Sequence, residues 1–500
     1  MNPAVTAATI SAAFAATRAA MGAAAHESFE GKRVTVMGLG HFGGGAAVTR
    51  WFCNQSAHVI LTDVSTPEKL SGSLELIKDL LDAGKVTLAL GGHQVTDFTS
   101  CDLVVANPAV PRPWDNQYIK AAKEAKVPVT TEIRLVIERL PDPTRLIGIT
   151  GSAGKSTTSA MIAHVLKAQL GEDRVRFGGN IGGSLLGELE QMRQGATNGA
   201  GHWTVLELSS AMMYWLGKGV GYPSAAGWAP RVAVLTNLSD NHGDWHGDFP
   251  HYAASKCNIF KYQPSGSVAL CADRGPEVMT RLEALGVHPV FINAAPEGAD
   301  EMAVREHLKL RIPGMHNRLN ARVACAAANA VLTLDGHAAP LATLLDQVSS
   351  FPGLPHRLQL VHESNGVRWF NDSKSTTPES CLLAVEAFSK AGGEGGPGTV
   401  HLVAGGYDKH SDLTPVAKLA SSLAGLYTIG ATGPAIDAAA HAAGFVTASC
   451  GTLAGAVKVI SQRIKPGDVV LLSPACASWD QFKNYEERGG HFAALARGNA

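Results

Sequence analysis

Residues 147–158 constrain this chain more than any other stretch, and they read I-G-I-T-G-S-A-G-K-S-T-T. The apolar run 146–149 predicts a buried strand, and the run 159–170 predicts a helix. The turn between them gathers backbone N–H groups at a helix N-terminus, which favours an anion. Lys155 can reach the terminal phosphates of a nucleotide, and Ser156 can bind the accompanying Mg²⁺. The usual phosphate loop has a glycine where Ile149 stands, so an ordinary glycine-rich turn remains an alternative.

The length and composition narrow the class of protein. A chain of 500 residues suggests about three domains at ~150 residues each. A net charge of -1 gives no electrostatic footprint for nucleic acid. The eight cysteines are scattered, which predicts reduced thiols in the cytoplasm. No apolar run reaches the ~18 residues needed to span a bilayer. Residues 1–30 are alanine-rich and predict a flexible extension without a signal peptide.

A second glycine-rich turn follows a predicted strand at residues 32–38. The run 38–43, G-L-G-H-F-G, matches the dinucleotide-binding fingerprint between a strand and a helix. The next predicted strand, 58–62, ends at Asp63, whose carboxylate can accept from a sugar hydroxyl. A loop at 103–111 faces the same crevice. The pattern predicts a diphosphate-binding domain. NAD binding, or tight helix–strand packing without a ligand, remains an alternative.

Polar residues follow two further predicted strands. The run 203–206 ends at Glu207, next to the edge of a sheet where ligands bind in open α/β folds, and a carboxylate there suits Mg²⁺. A surface glutamate is the alternative. The run 232–235 precedes a polar segment with His242, and a helix carrying Lys256 comes next. A loop histidine and a solvated lysine are the ordinary interpretations of those two residues.

Proline- and glycine-rich junctions predict the domain boundaries. Residues 141–143 and 351–355 punctuate the chain, which gives an extension and three domains: 1–30, 31–142, 143–353 and 354–500. In the last domain, predicted strands alternate with helices, which indicates a third mostly parallel α/β sheet. These strands are 358–361, 367–370, 400–404, 426–429, 445–448 and 469–472.

The ordered set of motifs resembles the Mur ligases of peptidoglycan synthesis. The family's loop reads Thr-Gly-x-x-Gly-Lys-Ser/Thr-Thr, which accounts for Ile149. The most specific segments are 371–376, N-D-S-K-S-T, and 471–489, L-L-S-P-A-C-A-S-W-D-Q-F-K-N-Y-E-E-R-G. The resemblance covers residues 31–500 and is strongest to the glutamate-adding members. It implies an α/β fold of three domains: a Rossmann-like UDP-binding domain, a central P-loop ATPase-type domain and a C-terminal Rossmann-like domain.

The resemblance also implies an activity. An ATP-dependent amide ligase would add glutamate, in its D form, to UDP-N-acetylmuramoyl-L-alanine through an acyl phosphate and a tetrahedral intermediate. The expected protein is a cytoplasmic monomer whose partners are these small molecules and ATP. Two Mg²⁺ ions and a CO₂-derived carbamate on Lys256 are expected. The implied catalytic residues are Lys155, Glu207, His242 and Lys256, and the implied metal ligands are Ser156, Glu207, His242 and the Lys256 carbamate.

The same resemblance assigns binding residues. For ATP they are Gly151, Ser152, Ala153, Gly154, Lys155, Ser156, Thr157, Asn317, Asn320, Arg357 and Asp372. For the UDP substrate they are Leu39, Gly40, His41, Phe42, Asp63, Val64, Asn107, Ala109 and Asn180. For glutamate they are Thr376, Lys409, Ser478 and Tyr485.

Several alternatives stay open at this point. L-Glutamate could replace D-glutamate, or the chain could be another Mur or folylpolyglutamate-type ligase. An NAD-dependent oxidoreductase or a nucleotide-gated binding protein would leave Lys256, Glu207 and the third domain without a role. Asn241 stands where the family has an acidic residue, which leaves the second-metal geometry open. The junction 351–355 is expected to act as a hinge.

Overall fold

The computed structural model describes residues 27–40, 43–142, 144–197, 201–222, 227–293, 299–388, 397–408 and 411–498. Contacts divide the chain into two compact units. The first comprises residues 1–293 and 323–340, and the second comprises residues 294–322 and 341–500. Among the described residues, no helix is both long enough and apolar enough to cross a membrane.

The first unit begins with a five-stranded sheet in the order β3-β2-β1-β4-β5. All of its strand pairs are parallel, so helical connections cover its faces. Its strands are β1 (Arg33–Met37), β2 (His58–Asp63), β3 (Val86–Leu90), β4 (Leu103–Ala106) and β5 (Val129–Thr130). Its helices are α1 (Gly44–Asn54), α2 (Ser71–Glu75), α3 (Lys78–Asp82), α4 (Val95–Thr99), α5 (Gln117–Glu124) and α6 (Glu132–Arg139).

A six-stranded parallel sheet follows in the same unit, in the order β11-β10-β9-β6-β8-β7. Its strands are β6 (Leu146–Thr150), β7 (Val175–Gly179), β8 (Trp203–Glu207), β9 (Val232–Leu235), β10 (Val268–Cys271) and β11 (Val290–Phe291). Its helices are α7 (Lys155–Leu170), α8 (Leu189–Thr197), α9 (Ser210–Trp215), α10 (Gly243–His246), α11 (Phe249–Lys261) and α12 (Pro276–Ala284). The strands β6, β8 and β9 are fully buried, as their continuous apolar runs predict.

The second unit contains a six-stranded sheet in the order β12-β13-β17-β14-β15-β16. Only the edge pair β12–β13 is antiparallel, so the predicted third mostly parallel sheet is confirmed. The strands are β12 (Gln359–Ser364), β13 (Val367–Asn371), β14 (Val400–Gly405), β15 (Gly425–Ile429), β16 (Ala448–Gly451) and β17 (Val469–Leu472). The remaining helices are α13 (Ala299–His307), α14 (Met315–Leu334), α15 (Leu341–Ser349), α16 (Pro378–Glu386), α17 (Thr414–Lys418), α18 (Gly433–Ala442), α19 (Leu453–Ser461) and α20 (Tyr485–Ala496).

Two sequence expectations differ from the observed elements. The helix after the phosphate loop begins at Lys155 and not at residue 159, because Gly154 takes a left-handed conformation (φ 78°) and starts the helix directly. The last edge strand is Ala448–Gly451, three residues later than the apolar run suggested. Val446 in that run is 85% exposed, so its hydrophobicity does not mark a buried strand. The predicted domain boundaries stay predictions.

Helix α1 packs unusually close to the glycine-rich turn that precedes it. A Cβ atom on Gly45 would lie 2.4 Å from the Leu39 carbonyl oxygen and 2.6 Å from that of Gly38. At Gly43, the last glycine of the fingerprint, the nearest atom would be 3.9 Å away. The close helix–strand contact that this fingerprint normally places at its last glycine is therefore made two residues later.

We expect Gly45→Ala to lower the free energy of unfolding by about 1–3 kcal/mol, because backbone atoms cannot move aside for the new methyl group. The matched control is Gly44→Ala in the same helix turn, where a Cβ would meet nothing within 4 Å. That variant should be neutral or stabilising by up to about 1 kcal/mol, since alanine favours a helix. Urea denaturation of both variants measures the difference. Equal stabilities would contradict the close-packing assignment.

Candidate active site

The phosphate loop between β6 and α7 is braced by residues that follow β9. The Asn237 carbonyl oxygen accepts from the Ser152 N–H at 2.9 Å, and its side-chain oxygen accepts from the Ala153 N–H at 2.7 Å. The Ser152 hydroxyl lies 2.8 Å from the Tyr252 hydroxyl. The loop is thus shaped by protein contacts before any ligand binds.

Two lysines converge on one carbonyl group of this loop. The Lys155 Nζ donates to the Gly151 oxygen at 2.7 Å and to the Ser152 oxygen at 3.0 Å. The Lys256 Nζ donates to the same Gly151 oxygen at 2.7 Å. Burial, reinforced by the positive charge of Lys155 and opposed by Glu207, lowers the pKa of Lys256 well below its usual 10.5. The predicted Lys155 and Lys256 therefore meet at one loop oxygen, and the surroundings of Lys256 favour its neutral form.

Glu207 ends β8 beside the phosphate loop, since it pairs with Ile149 of β6. Its side chain is buried, and one carboxylate oxygen accepts from the Asn180 side-chain N–H at 2.7 Å. The other oxygen, Oε2, is buried without a hydrogen-bond partner among the described residues. A buried carboxylate oxygen in that state calls for a missing ion or water. The backbone at residue 179 lies so close to Glu207 that only glycine fits there, because a Cβ on Gly179 would be 2.3 Å from the Glu207 carbonyl oxygen.

His242 sits in a left-handed conformation, with φ at 55°. For a side chain of this size the conformation costs free energy and is often found at functional sites. The Asn241 side-chain oxygen accepts from the His242 N–H at 2.8 Å, so the residue that departs from the family pattern supports this backbone. Four residues on, burial and the neighbouring His251 lower the pKa of His246 to about 4.

The predicted UDP loop is held by two side chains that the sequence also singled out. The Asp63 Oδ2 accepts from the Leu39 N–H at 2.9 Å and the Gly40 N–H at 3.2 Å. The Asn107 side chain donates to the Gly38 oxygen at 3.3 Å and accepts from the Ala109 N–H at 2.9 Å. The structure thus brings these residues together at the carboxyl edge of the first sheet.

In the second unit, the structure places four of the predicted ATP residues. Asn317 and Asn320 are buried at the start of α14, and the Asn320 amide donates to the Asn317 side-chain oxygen at 3.2 Å. Asp372 is also buried, and it accepts from the Ser473 hydroxyl at 2.8 Å. Burial raises the pKa of Asp372 to about 6. Arg357 is exposed.

A small pocket lies at the carboxyl edge of the third sheet. The predicted glutamate residue Thr376 lines it, together with residues that the sequence did not assign to the glutamate site: Tyr407, Asp408, Ser411, Leu413, Thr432, Ala475 and Cys476. Ser478 is buried, and burial with the nearby Glu486 raises the pKa of Tyr485 to about 12. Neither of these two lines the pocket.

Of the remaining predictions, Val64 is exposed, while His41, Phe42 and Lys409 fall outside the described residues.

The sequence reasoning also missed a tie between the first and second sheets of the first unit. The Ser184 hydroxyl, just after the glycine-rich segment of Asn180, donates to the carboxylate of Glu132 at the start of α6. Burial raises the pKa of the partly buried Glu132 to about 7, against an ordinary 4.5. An acidic residue that opens a helix usually interacts with its own helix N-terminus, so nothing in the sequence indicated this distant partner.

The raised pKa of Glu132 predicts a pH-dependent stability. The folded protein holds the proton more tightly than the unfolded chain, so this contribution is full below pH 4.5 and is lost as the pH rises through about 7. Glu132→Gln, which cannot ionise, should therefore gain stability relative to the wild type between pH 5 and pH 8. At ~1.4 kcal/mol per pKa unit, about 3 kcal/mol is the upper limit.

Thermal unfolding at the two pH values measures this gain, with the exposed Glu75→Gln as the control. If the difference in melting temperature between each variant and the wild type is the same at pH 5 and pH 8, Glu132 is ionised in the folded protein at neutral pH.

The candidate metal ligands fit a hard cation better than a soft one. The described residues contain no cluster of three or more His, Cys, Asp or Glu side chains arranged to hold an ion. The predicted set contains only one carboxylate and one imidazole, so further oxygen donors would come from Ser156, the nucleotide, water or the carbamate expected on Lys256. Oxygen donors of this kind suit Mg²⁺, and a cation would bind at the Glu207 Oε2, which has no hydrogen-bond partner among the described residues.

Comparison with known proteins finds two family models along the chain. The Mur ligase middle domain matches residues 149–328, which include the phosphate loop, Glu207 and Lys256. The Mur ligase glutamate ligase domain matches residues 356–476, which include Asp372 and the pocket of the third sheet.

Curated relatives match over nearly the whole chain. The UDP-N-acetylmuramoylalanine–D-glutamate ligase of Pelotomaculum thermopropionicum is 34% identical over 488 residues, covering 94% of this chain and 98% of that protein. The enzyme of the same name from Anaeromyxobacter dehalogenans is 36% identical over 493 residues, covering 93% and 98% respectively.

Solved structures agree on the fold. The UDP-N-acetylmuramate–alanine ligase MurC of Thermotoga maritima superposes with a TM-score of 0.56 at 18% identity, covering 94% of this chain and all of that one. MurF ligase from the same organism, solved with ADP, gives a TM-score of 0.50 at 16% identity, covering 95% and 96%. The α/β class predicted from the sequence is confirmed. The chain belongs to the Mur ligase family.

Proposed function

We propose that this protein is an ATP-dependent ligase that joins the amine of D-glutamate to the alanyl carboxylate of UDP-N-acetylmuramoyl-L-alanine, in the cytoplasm. The observation that carries the proposal is the placement of Glu207. Its buried, unpartnered carboxylate oxygen stands beside the phosphate loop on a neighbouring strand. The relatives of the same length carry the name of this reaction, which supports the choice of both substrates.

The reaction requires two anions to meet, because the alanyl carboxylate must attack the γ-phosphate of ATP. This step releases ADP and forms an acyl phosphate. The glutamate amine then attacks the acyl carbon to give a tetrahedral intermediate, which loses phosphate to form the amide. Lys155 brings positive charge to the loop, and its present bonds to backbone oxygens would be exchanged for bonds to phosphate. Two Mg²⁺ ions, one held by Ser156 and Glu207 and the second by His242, would supply further positive charge to the phosphate oxygens.

Lys256 would act as a carbamate formed with CO₂. A protonated lysine cannot bind a cation, but a carbamate supplies anionic oxygen atoms. Only the neutral amine has the lone pair that attacks CO₂, and the burial of Lys256 together with the nearby Lys155 favours that neutral form. The low-pKa lysine is therefore chemically suited to the modification.

The pocket of the third sheet would hold the incoming glutamate. Its lining includes Thr376, Ser411 and Thr432. The hydroxyl groups of the first two can bond carboxylate oxygens, whereas that of Thr432 already donates to the Gly406 oxygen at 3.1 Å. Asp408 and the phenol of Tyr407 also line it, and a carboxylate there could receive the amino group. Ser478 and Tyr485 do not line this pocket, and both stay predicted contacts of the glutamate.

One assay tests the whole proposal. Purified protein with ATP, Mg²⁺ and UDP-N-acetylmuramoyl-L-alanine should release phosphate only after D-glutamate is added, and the product should carry one new amide. Phosphate release with L-glutamate alone would correct the stereochemistry. No release with either glutamate would refute the proposed reaction.

A further inference from the structure

His246 lies at the meeting point of three segments of the first unit. It ends the single-turn helix α10, and its ring is 3% exposed. Its backbone N–H donates to the His242 carbonyl oxygen at 2.9 Å. His246 therefore belongs to the same turn as His242, whose backbone is left-handed.

Both ring nitrogens of His246 have partners on other elements. The Nε2 lies 2.9 Å from the Ser210 hydroxyl, at the first residue of α9. The Nδ1 lies 2.9 Å from the Nδ1 of His251, in the first turn of α11. Since two Nδ1 atoms can share only one proton, one ring donates and the other accepts. The Ser210 hydroxyl can rotate to suit either arrangement.

Each of these partners is a short distance along the chain from a proposed metal ligand. Ser210 comes three residues after Glu207, and His251 comes five residues before Lys256. His246 itself comes four residues after His242. One imidazole thus joins the three segments that carry Glu207, His242 and Lys256.

The turn of His246 is also anchored to the first domain. The Trp245 indole N–H donates to the Pro108 oxygen at 3.0 Å, and the Trp245 oxygen accepts from the Arg112 N–H at 3.2 Å. The ring of Trp114 packs 4.4 Å from that of His251. This packing limits how far the turn that carries His242 and His246 can move. The two ring bonds of His246 then fix the turn within that narrow range.

We infer that His246 is a positioning residue for the metal site: its two ring bonds set the relative places of Glu207, His242 and Lys256. The inference rests on the proposed role of those three residues. Side chains that orient metal ligands typically contribute 10–100-fold to metal affinity or activity. His246 acts through backbone and neighbouring elements, so the lower end of that range applies.

The test measures metal binding without turnover. Mn²⁺ replaces Mg²⁺ as a paramagnetic probe, and its binding to the full-length protein with a non-hydrolysable ATP analogue is titrated by electron paramagnetic resonance. His246→Phe keeps an aromatic ring, one atom larger than imidazole, and removes both bonds, and we expect about tenfold weaker Mn²⁺ binding. Ser210→Ala removes one bond and should weaken binding by a smaller, measurable factor.

The matched control is His401→Gln in the second unit. His401 is equally buried and also bonded through both nitrogens, to the Tyr427 hydroxyl at 2.9 Å and to the Asp468 carboxylate at 3.1 Å. It is the second residue of β14, in a different sheet from the one that carries the proposed metal ligands. Its variant should lose thermal stability and keep Mn²⁺ affinity.

The outcomes separate the inference from the proposed function. If His246→Phe binds Mn²⁺ within twofold of the control at a similar loss of melting temperature, His246 is merely structural. If that variant does not fold, Ser210→Ala decides, and unchanged Mn²⁺ affinity overturns the inference. Should the wild type bind Mn²⁺ but form no amide, the proposed reaction fails while the positioning role is still decided by the variants.

Discussion

Lys256→Ala is expected to lower kcat by about 10²–10³-fold, the range seen when one stabilising group is removed from a charged transition state. Alanine can neither donate to the Gly151 oxygen, as Lys256 does at 2.7 Å, nor form a carbamate. Because the lost group would be a carboxylate-like anion, added acetate or formate should restore part of the rate. The steady-state rate of phosphate release at saturating substrates measures the loss of activity, and the same assay with added acetate or formate measures the rescue.

The control is Lys261→Ala at the exposed end of the same helix. It should retain the wild-type rate and gain nothing from acetate. A Lys256→Ala enzyme that keeps full activity would exclude the carbamate. A deep loss without any rescue would leave Lys256 as a cationic contact to the loop and would also count against the modification.

Glu207→Gln should reduce kcat by a similar factor and raise the Mg²⁺ concentration needed for half-maximal activity. The glutamine can still accept from the Asn180 amide, as the carboxylate does at 2.7 Å, so the loop should keep its shape. The change removes the negative charge on the buried Oε2, which has no partner among the described residues. Since burying a carboxylate oxygen without a hydrogen bond costs more than burying a neutral amide, the metal-free variant should melt at the same temperature as the wild type or higher.

Glu190→Gln on the exposed face of α8 is the matched control, and it should change neither the rate nor the Mg²⁺ dependence. Loss of activity combined with a lower melting temperature for Glu207→Gln would indicate a structural role. An unchanged Mg²⁺ requirement would remove Glu207 from the metal site.

Much of the architecture was predictable from the sequence, because buried parallel strands have continuous apolar runs. The runs at Val232–Leu235 and Val469–Leu472 are strands at those bounds. Glu207 was found because it directly follows such a run, and the carboxyl ends of parallel strands meet at one edge. The motif order also identified the family, which the relatives confirm.

The contacts that shape the site were not predictable, because they join residues distant in sequence. The bond between Ser184 and Glu132 spans 52 residues, and the tie between His246 and Ser210 spans 36. No local sequence motif predicts a contact between residues at either of these separations. Asp63 shows a different limit: its position after a strand was read correctly, but its bonds to the glycine turn depend on how that turn folds.

The brace of the phosphate loop has a consequence for the order of events during synthesis. Ala153 and its partner Asn237 are 84 residues apart, and β6 lies between β8 and β9, which both come later in the chain. At ~5–20 residues per second, the loop leaves the ribosome roughly 4–17 seconds before its brace exists. Until β8 (residues 203–207) follows, the apolar strand β6 has no partner strand in its sheet. Early protection by a chaperone at this point of translation would therefore matter more than the stability of the finished protein suggests.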